Sequence, residues 1–419
     1  MAVRPTRYGA PGLITPGTPS LLRAINERSA LELLHQLGPL SRAEIARRSG
    51  LSKPTVSLAL ARLEQAGLVR EAGRTSGGKG ATALLYELDP RVGWILGLDV
   101  GRGFIRCAIA DITGALAIRR DERAQARTGP ALISQVGSLA RRTAAEVGIG
   151  LADVTRAAMG SPGVLQPDRE RVALAPNLPG WQRPGVLDAI RAELGIEVAF
   201  ENDVNLAAIG ERWHGLGRQA ESFVLLSIGT GVGMGVVLGG ELYRGASGSA
   251  GEIGYLPVGV GDPHDPATRR TGAFEAAVGA EAVVRLAREL GLAARSAKQV
   301  FAVARRGDPV ALRVVDQEAR RLALGIAAVA AVLDPELVVL GGGIGAGGGD
   351  LLLEPLAREL RACSPFRPRV AVSALGDEAV LYGALAIALA AAQEQVLGRV
   401  YGRSDRPMGP ADRRKEAVP

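Results

Sequence analysis

Ser227-Ile228-Gly229-Thr230-Gly231-Val232-Gly233-Met234-Gly235 places glycines at alternate positions between two strand-like runs, 223–228 and 235–238. Without Cβ atoms such a loop lets backbone N–H groups come close to an anion or a sugar. Working outward, Gly97-Leu98-Asp99-Val100-Gly101 ends a second strand-like run and leads into a third at 105–111. Gly341-Gly342-Gly343-Ile344-Gly345 follows the run 337–340, where it is positioned to pass under an adenine or ribose. A single turn of this kind is only a turn. Three of them, each behind a buried strand-like run, point to a phosphate- or sugar-binding α/β domain. Ala/Leu-rich helical stretches such as 132–147 and 310–333 lie between the runs. That alternation predicts a pair of α/β lobes with crossover connections.

Phe200-Glu201-Asn202-Asp203-Val204-Asn205 closes the strand-like run at 197–200 and opens an Ala-rich helix. A carboxylate on such a rigid corner can accept a proton from a hydroxyl, and an amide beside it can bond a neighbouring hydroxyl. The same residues suit a plain N-cap, and both roles are compatible.

The first 90 residues read differently. A helical pattern from Leu21 to Leu37, with Leu22, Ile25, Leu33 and Leu37 among its apolar positions, stops at Gly38-Pro39. Ser41-Arg42-Ala43-Glu44 is a capping box that opens a second helix, and Ser52-Lys53-Pro54 opens a third after Gly50. Two short strands, 68–71 and 83–88, flank a Gly-rich tip at 73–80. Helix, helix-turn-helix, basic hairpin is the order of a winged helix-turn-helix. Ser52, Lys53, Thr55 and Ser57 sit at the start of the recognition helix, and Arg74 and Lys79 sit on the wing. These are the candidate DNA contacts.

Charge follows the same division. The 419 residues carry a formal +7. Residues 1–90 contribute +5, 91–395 contribute −1 and 396–419 contribute +3. A basic head on a neutral body excludes a chain that grips nucleic acid over its whole surface. Cys107 and Cys363 are too few for a disulfide framework, and His35, His214 and His264 form no ligand pattern. No signal peptide is visible in the first 20 residues, and the apolar stretch 379–392 reads as a buried helix too short to span a bilayer. A reducing, cytoplasmic setting without membrane contact is expected. The expected domains are a disordered 1–19, a DNA-binding 20–90, an α/β body 91–395 and a loose basic tail 396–419.

Taken together, these residues resemble the ROK family of repressors, open-reading-frame proteins and sugar kinases. The resemblance spans about residues 20–395. Glu201-Asn202-Asp203, the 229–235 loop, Leu242-Tyr243-Arg244-Gly245-Ala246, Gly251-Glu252-Ile253-Gly254 and Gly376-Asp377-Glu378-Ala379 carry it, with Asn177-Leu178-Pro179-Gly180-Trp181 ahead of them. The helix-turn-helix is similar to that of the regulator branch.

The resemblance implies a two-lobed actin-like sugar-kinase fold behind the winged helix. It implies sugar contacts by Asn202, Asp203, Glu252, Glu275 and Asn177, with Asp203 as general base if phosphoryl transfer occurs. Phosphate contacts would come from Asp99, Gly101, Gly229, Thr230 and Gly231. It further implies a homodimer or homotetramer on palindromic operator DNA, responsive to a small sugar or sugar derivative. The alternative is a glucokinase-like, ATP-dependent sugar kinase with an accessory DNA head.

Two departures from the family pattern stand out. The positions of its zinc ligands are Tyr255, Pro266, Thr268 and Ala273, so no zinc is expected. Arg102-Gly103-Phe104 replaces the Gly-Thr-Lys that follows Asp-x-Gly in the kinases, so neither ATP nor Mg is expected as a required cofactor.

Overall fold

The structure is a computed structural model. It describes residues 19–75, 82–166, 171–173, 178, 180–258, 262 and 264–400. The chain divides into two compact units, Met1–Val92 with Gln393–Pro419 and Gly93–Ala392.

The first unit contains α1 (Pro19–Leu37), β1 (Leu40–Ser41), α2 (Arg42–Ser49), α3 (Lys53–Gln65), β2 (Val69–Arg74) and β3 (Leu84–Leu88). The capping box forms: Ser41 Oγ accepts from Glu44 N–H, and Glu44 Oε2 accepts from Ser41 N–H at 2.9 Å. Those bonds to Ser41 hold the Glu44 carboxyl below the usual carboxylate range. Gly50 turns the chain between α2 and α3 with φ +73°, a conformation that favours glycine. Ile45, Val56, Leu60, Leu63 and Tyr86 close a small core between the helices and the hairpin.

The structure differs from the sequence pattern in two places here. The buried stripe of α1 is Ala30, Leu31 and Leu34, whereas Leu22, Ile25 and Leu37 are exposed. A helix apolar on two sides does not reveal by periodicity which side faces the core. The second difference is β1, two residues paired with Tyr86 and Leu85, too short to leave a pattern of its own.

The second unit is built from two sheets with the same strand plan. Its first lobe contains β4 (Trp94–Val100), β5 (Phe104–Asp111), β6 (Leu116–Arg123), α4 (Gly129–Glu146), β7 (Val154–Ser161), β8 (Val164–Gln166), β9 (Arg171–Ala173), α5 (Val186–Leu194), β10 (Val198–Asn202) and α6 (Asp203–His214). The second contains β11 (Phe223–Ile228), β12 (Val232–Leu238), β13 (Glu241–Leu242), α7 (Pro266–Thr271), α8 (Ala273–Val278), α9 (Ala280–Glu289), α10 (Ala297–Ala304), α11 (Pro309–Leu333), β14 (Leu337–Gly341), α12 (Gly342–Cys363), β15 (Arg369–Val372) and α13 (Ala379–Val400).

The sheet orders are β10-β7-β4-β5-β6 and β13-β12-β11-β14-β15. In each, three antiparallel strands run on from one hairpin and two parallel strands return through helices. A duplicated plan of this kind puts both hairpin turns at equivalent positions. Strands β6 and β7 leave no strand pattern in the sequence. LAIRRDER is polar and mostly exposed, and VTRAAMGS has small residues in place of a β-branched run.

Apolar residues of β4 and β5 pack under α4 and α5 around Trp181. One face of the second sheet packs on α8 to α12, and its other face holds Ala207 and Ala208 of α6. Helices α6 and α13 cross backbone to backbone. A Cβ at Gly210 would lie 2.1 Å from Ala379 O, and one at Gly383 would lie 1.9 Å from Leu206 O. The C-terminal helix extends to Val400, longer than the apolar stretch implied, and 376–396 is long and apolar enough to cross a membrane by length and composition. Its buried face (Leu381, Ala384, Leu385, Ala388) packs inside the protein instead.

Residues 1–18 and 401–419, which include most of both expected loose ends, lie outside the described residues, as do Lys79 and Asn177. The last described residues of α13 belong to the first unit, where Gln393 Nε2 lies 3.2 Å from His35 Nδ1.

Candidate functional site

The corner between β10 and α6 sets the site. Asn202 is the N-cap of α6: its Oδ1 accepts from Val204 N–H at 2.9 Å and Asn205 N–H at 3.1 Å. Its Nδ2 donates to Gly163 O at 3.0 Å, which fixes the amide plane and leaves one N–H. Asp203 is the first residue of α6 and is half-buried. Glu201, to which the sequence assigns no role, holds this corner together. One of its oxygens accepts from Asn202 N–H and Asn205 Nδ2, and the other from Arg244 Nε at 2.7 Å. An acid that completes hydrogen bonds of backbone and neighbours is a positioning group.

The second lobe supplies the other wall. The turn 229–231 closes with Gly229 N–H on Gly231 O at 2.9 Å, and Thr230 and Gly231 are exposed. Glu275, on α8, reaches this turn and accepts from Val232 N–H at 2.8 Å. A Cβ at Gly231 or at Gly254 would stand 3.4 Å from the same carboxylate oxygen, so the glycines leave room for it. Glu252 precedes a short 3-10 turn, Ile253–Tyr255.

The carboxylates respond to one another. Burial pushes Asp203 up to about 7, helped by the nearby charges of Asp99 and Glu252. Burial raises Glu252, with Glu275 adding to it, and burial raises Glu275 against the bond from Val232. Asp203 is thus influenced by Glu252, and Glu252 by Glu275. A carboxyl can accept from hydroxyls when ionised and can also donate to them when protonated.

The third glycine run meets the second rather than forming a free loop. Gly342 and its successors are helical in α12, and a Cβ at Gly342 would lie 2.5 Å from Ile228 O. The run therefore forms the start of α12 directly behind β14, packed on the end of β11.

At the first hairpin, Gly101 N–H bonds Phe104 O at 3.0 Å. Asp99 is 5% exposed and accepts from Arg106 Nη1 at 2.7 Å. Arg106 belongs to no motif in the sequence, although it stands directly across the ladder from Asp99. Phe104 is exposed, with the guanidinium carbons of Arg106 and Arg123 at 5.8 and 5.4 Å from its ring.

In the first unit, Ser52 caps α3 by accepting from Thr55 N–H at 3.3 Å, and the two hydroxyls lie 2.7 Å apart. Ser52, Lys53 and Arg74 are exposed, and Thr55 and Ser57 are half-buried.

The chain is similar to known proteins in both units. The ROK family signature matches residues 95–391, and the MarR family signature matches 25–72. The chain is 32% identical to a glucokinase of Halalkalibacterium halodurans over 69% of its own length and 93% of the enzyme's. It is 25% identical to a xylose repressor of Caldicellulosiruptor bescii over 89% of its own length and 97% of the repressor's. A crystal structure of a ROK family transcriptional regulator, a homologue of the E. coli MLC protein, shares the fold with a TM-score of 0.74 at 23% identity, covering 91% of this chain and 99% of that one. With a winged helix of MarR type ahead of a duplicated α/β body that carries the family signature, the chain belongs to the ROK family.

Proposed function

We propose that the protein is a sugar-responsive DNA-binding transcriptional repressor of carbohydrate-metabolism genes. The observation that carries this reading is the union, in one chain, of a winged helix with exposed Lys53 and Arg74 and a carboxylate-lined pocket built from Asn202, Asp203, Glu252 and Glu275. The likeness to a xylose repressor over nearly the full length of both chains supports it. A homodimer or homotetramer on palindromic DNA belongs to the same reading, since a two-fold symmetric protein needs two half-sites. Two unpaired cysteines, Cys107 buried and Cys363 exposed, fit a reducing cytoplasm.

Sugar hydroxyls would bond Asp203 and Glu252 as acceptors and the free N–H of Asn202 as donor. A site whose polar groups are left unpaired by the wrong ligand rejects it. Zinc does not belong to this reading. Tyr255, Pro266, Thr268 and Ala273 offer no thiolate or imidazole, and Tyr255 Oη donates to Arg270 O at 3.4 Å across the same loop.

The DNA reading is tested by combining Lys53→Ala with Arg74→Ala and measuring affinity for a duplex selected by the full-length protein. Each phosphate that a side chain no longer neutralises lowers the salt slope by about 1. An unchanged affinity and slope would overturn the assignment.

One observation favours a second reading, an ATP-dependent sugar kinase. Asp203 opens α6 with its carboxyl pushed up to about 7, which would suit a general base. A coupled assay on a sugar panel decides it, with turnover abolished in Asp203→Asn as the result that would put the kinase first.

A further inference from the structure

The resemblance to sugar kinases implies nucleotide phosphates, with their divalent cation, beside Asp99 and Gly101 of the first hairpin. The residues at that corner do not fit such a group. Asp99 is 5% exposed, and Arg106 Nη1 lies 2.7 Å from its Oδ2. The guanidinium is enclosed by two further acids from other elements. Its Nε lies 3.6 Å from Asp121 Oδ2 on β6, and its Nη2 lies 3.6 Å from Asp377 Oδ2 in the turn before α13. Arg119 joins the same network through Asp121 and Glu378. Phe104 covers the outer side, its ring 5.8 Å from the Arg106 guanidinium carbon. A hydrated Mg2+ needs near-octahedral oxygen ligands and room for several waters. Here a permanently charged, planar cation already occupies the ligand face of the acid.

We infer that Arg106 is the resident cation of the cleft, a specificity-determining residue that holds Asp99 in place and closes the corner to a metal–nucleotide. The inference rests on the reading of the cleft as a sugar site and adds to it: the sugar is bound without a divalent cation. Three features make it more than a surface ion pair. The acid is buried and its partner half-buried, the two lie on directly opposed residues of a hairpin, and the other contacts of Arg106 tie that hairpin to the turn that begins α13. A lysine would neutralise Asp99 but lacks the fork that reaches Asp121 and Asp377 together.

The test is a Mn2+ titration of the full-length protein, followed by the electron paramagnetic resonance of free Mn2+. The wild type is expected to show no saturable site that depends on Asp99. Removing the guanidinium in Arg106→Met uncovers a buried acid, so this variant gains a saturable site at least ~10-fold tighter than any residual wild-type binding. Arg106→Met combined with Asp99→Asn loses that site again. Arg106→Gln carries the same expectation and serves if the methionine variant does not fold, as read by circular dichroism. A saturable Mn2+ site in the wild type that Asp99→Asn removes would overturn the inference. So would a folded Arg106→Met or Arg106→Gln that gains no site. Sugar-induced thermal shifts and DNA affinity are measured on the same samples. Their absence, with the Mn2+ results as expected, overturns the regulator reading and leaves the role of Arg106 standing.

Discussion

The two lobes carry the same hairpin at the same place, and they use it differently. In the first lobe Asp99 faces Arg106 across the ladder, two residues before the turn. In the second lobe Ser227 faces Gly233 at the corresponding register. The first hairpin is filled by an ion pair and capped by Phe104. The second is left open, with Thr230 and Gly231 exposed and Glu275 tucked against Val232. One strand plan thus yields a closed electrostatic corner and an open glycine turn. The bends differ in their side chains although the sheets beneath them have matching orders.

The largest effect is expected from removing one charge of the closed hairpin. Arg106→Met leaves Asp99 buried without its partner, and stability is expected to fall by about 3–5 kcal/mol. Adding Asp99→Leu is expected to recover more than half of that, because an apolar pair has no unpaired charge to desolvate. Urea unfolding of the two variants measures both. A smaller change is expected where the open hairpin meets α6. A Cβ at Gly235 would lie 2.5 Å from Ala208 Cβ and 2.8 Å from Val204 O. Gly235→Val should cost about 1–3 kcal/mol by overpacking and weaken sugar binding by displacing the Asp203 corner, read by thermal shift with and without sugar.

Asp203 provides a pH test of the pocket between the hairpins. It titrates near 7 in the fold and near 4 in an unfolded chain, so the native state binds its proton more tightly. Its contribution to stability is whole below about pH 4 and is lost as pH rises to about 7. Asp203→Asn removes that term. The wild type should therefore lose ground to the variant between pH 4 and 7, by on the order of 1 kcal/mol because Asp203 keeps some contact with water. Parallel stability curves would contradict the assigned environment. The smallest effect belongs to the open hairpin itself: Ser227→Ala, opposite a glycine, should change stability by less than about 0.5 kcal/mol.

Much of this was legible in the sequence, for physical reasons. Capping residues act locally, so Ser41, Glu44, Ser52 and the turn at Gly50 announced α2 and α3 nearly to the residue. Buried apolar runs announced β11 at its observed bounds and β4, β5 and β14 within a residue or so. Elements that owe their form to partners far along the chain stayed hidden. Strand β1 exists because Leu40 and Ser41 meet β3, and β6 carries too many arginines to read as a strand. The buried side of α1 is chosen by what packs on it, so periodicity could not settle it.

At the site, the acids were visible as residue types beside glycines, and their convergence was not. Arg106 and Glu201 stay hidden because each acts through a cross-strand or backbone contact. Counting the hairpin outward from Gly101 and Phe104 places Arg106 opposite Asp99, and that was the signal available. Glu318 is a further case: it is fully buried in α11, its oxygens have no hydrogen-bond partner among the described residues, and burial drives it well above its ordinary range. Nothing in its sequence neighbourhood announces a neutral acid.

A sugar-responsive repressor requires that sugar binding and DNA binding be energetically coupled. The most direct measurement is the affinity of the full-length protein for a selected palindromic duplex, by fluorescence anisotropy at fixed salt, across a panel of sugars. A coupling of about 1–3 kcal/mol predicts that one sugar changes DNA affinity by roughly 5- to 150-fold in the wild type and leaves Asp203→Asn unmoved. DNA affinity that no sugar shifts, or an Asp203→Asn protein that responds as the wild type does, would contradict the account.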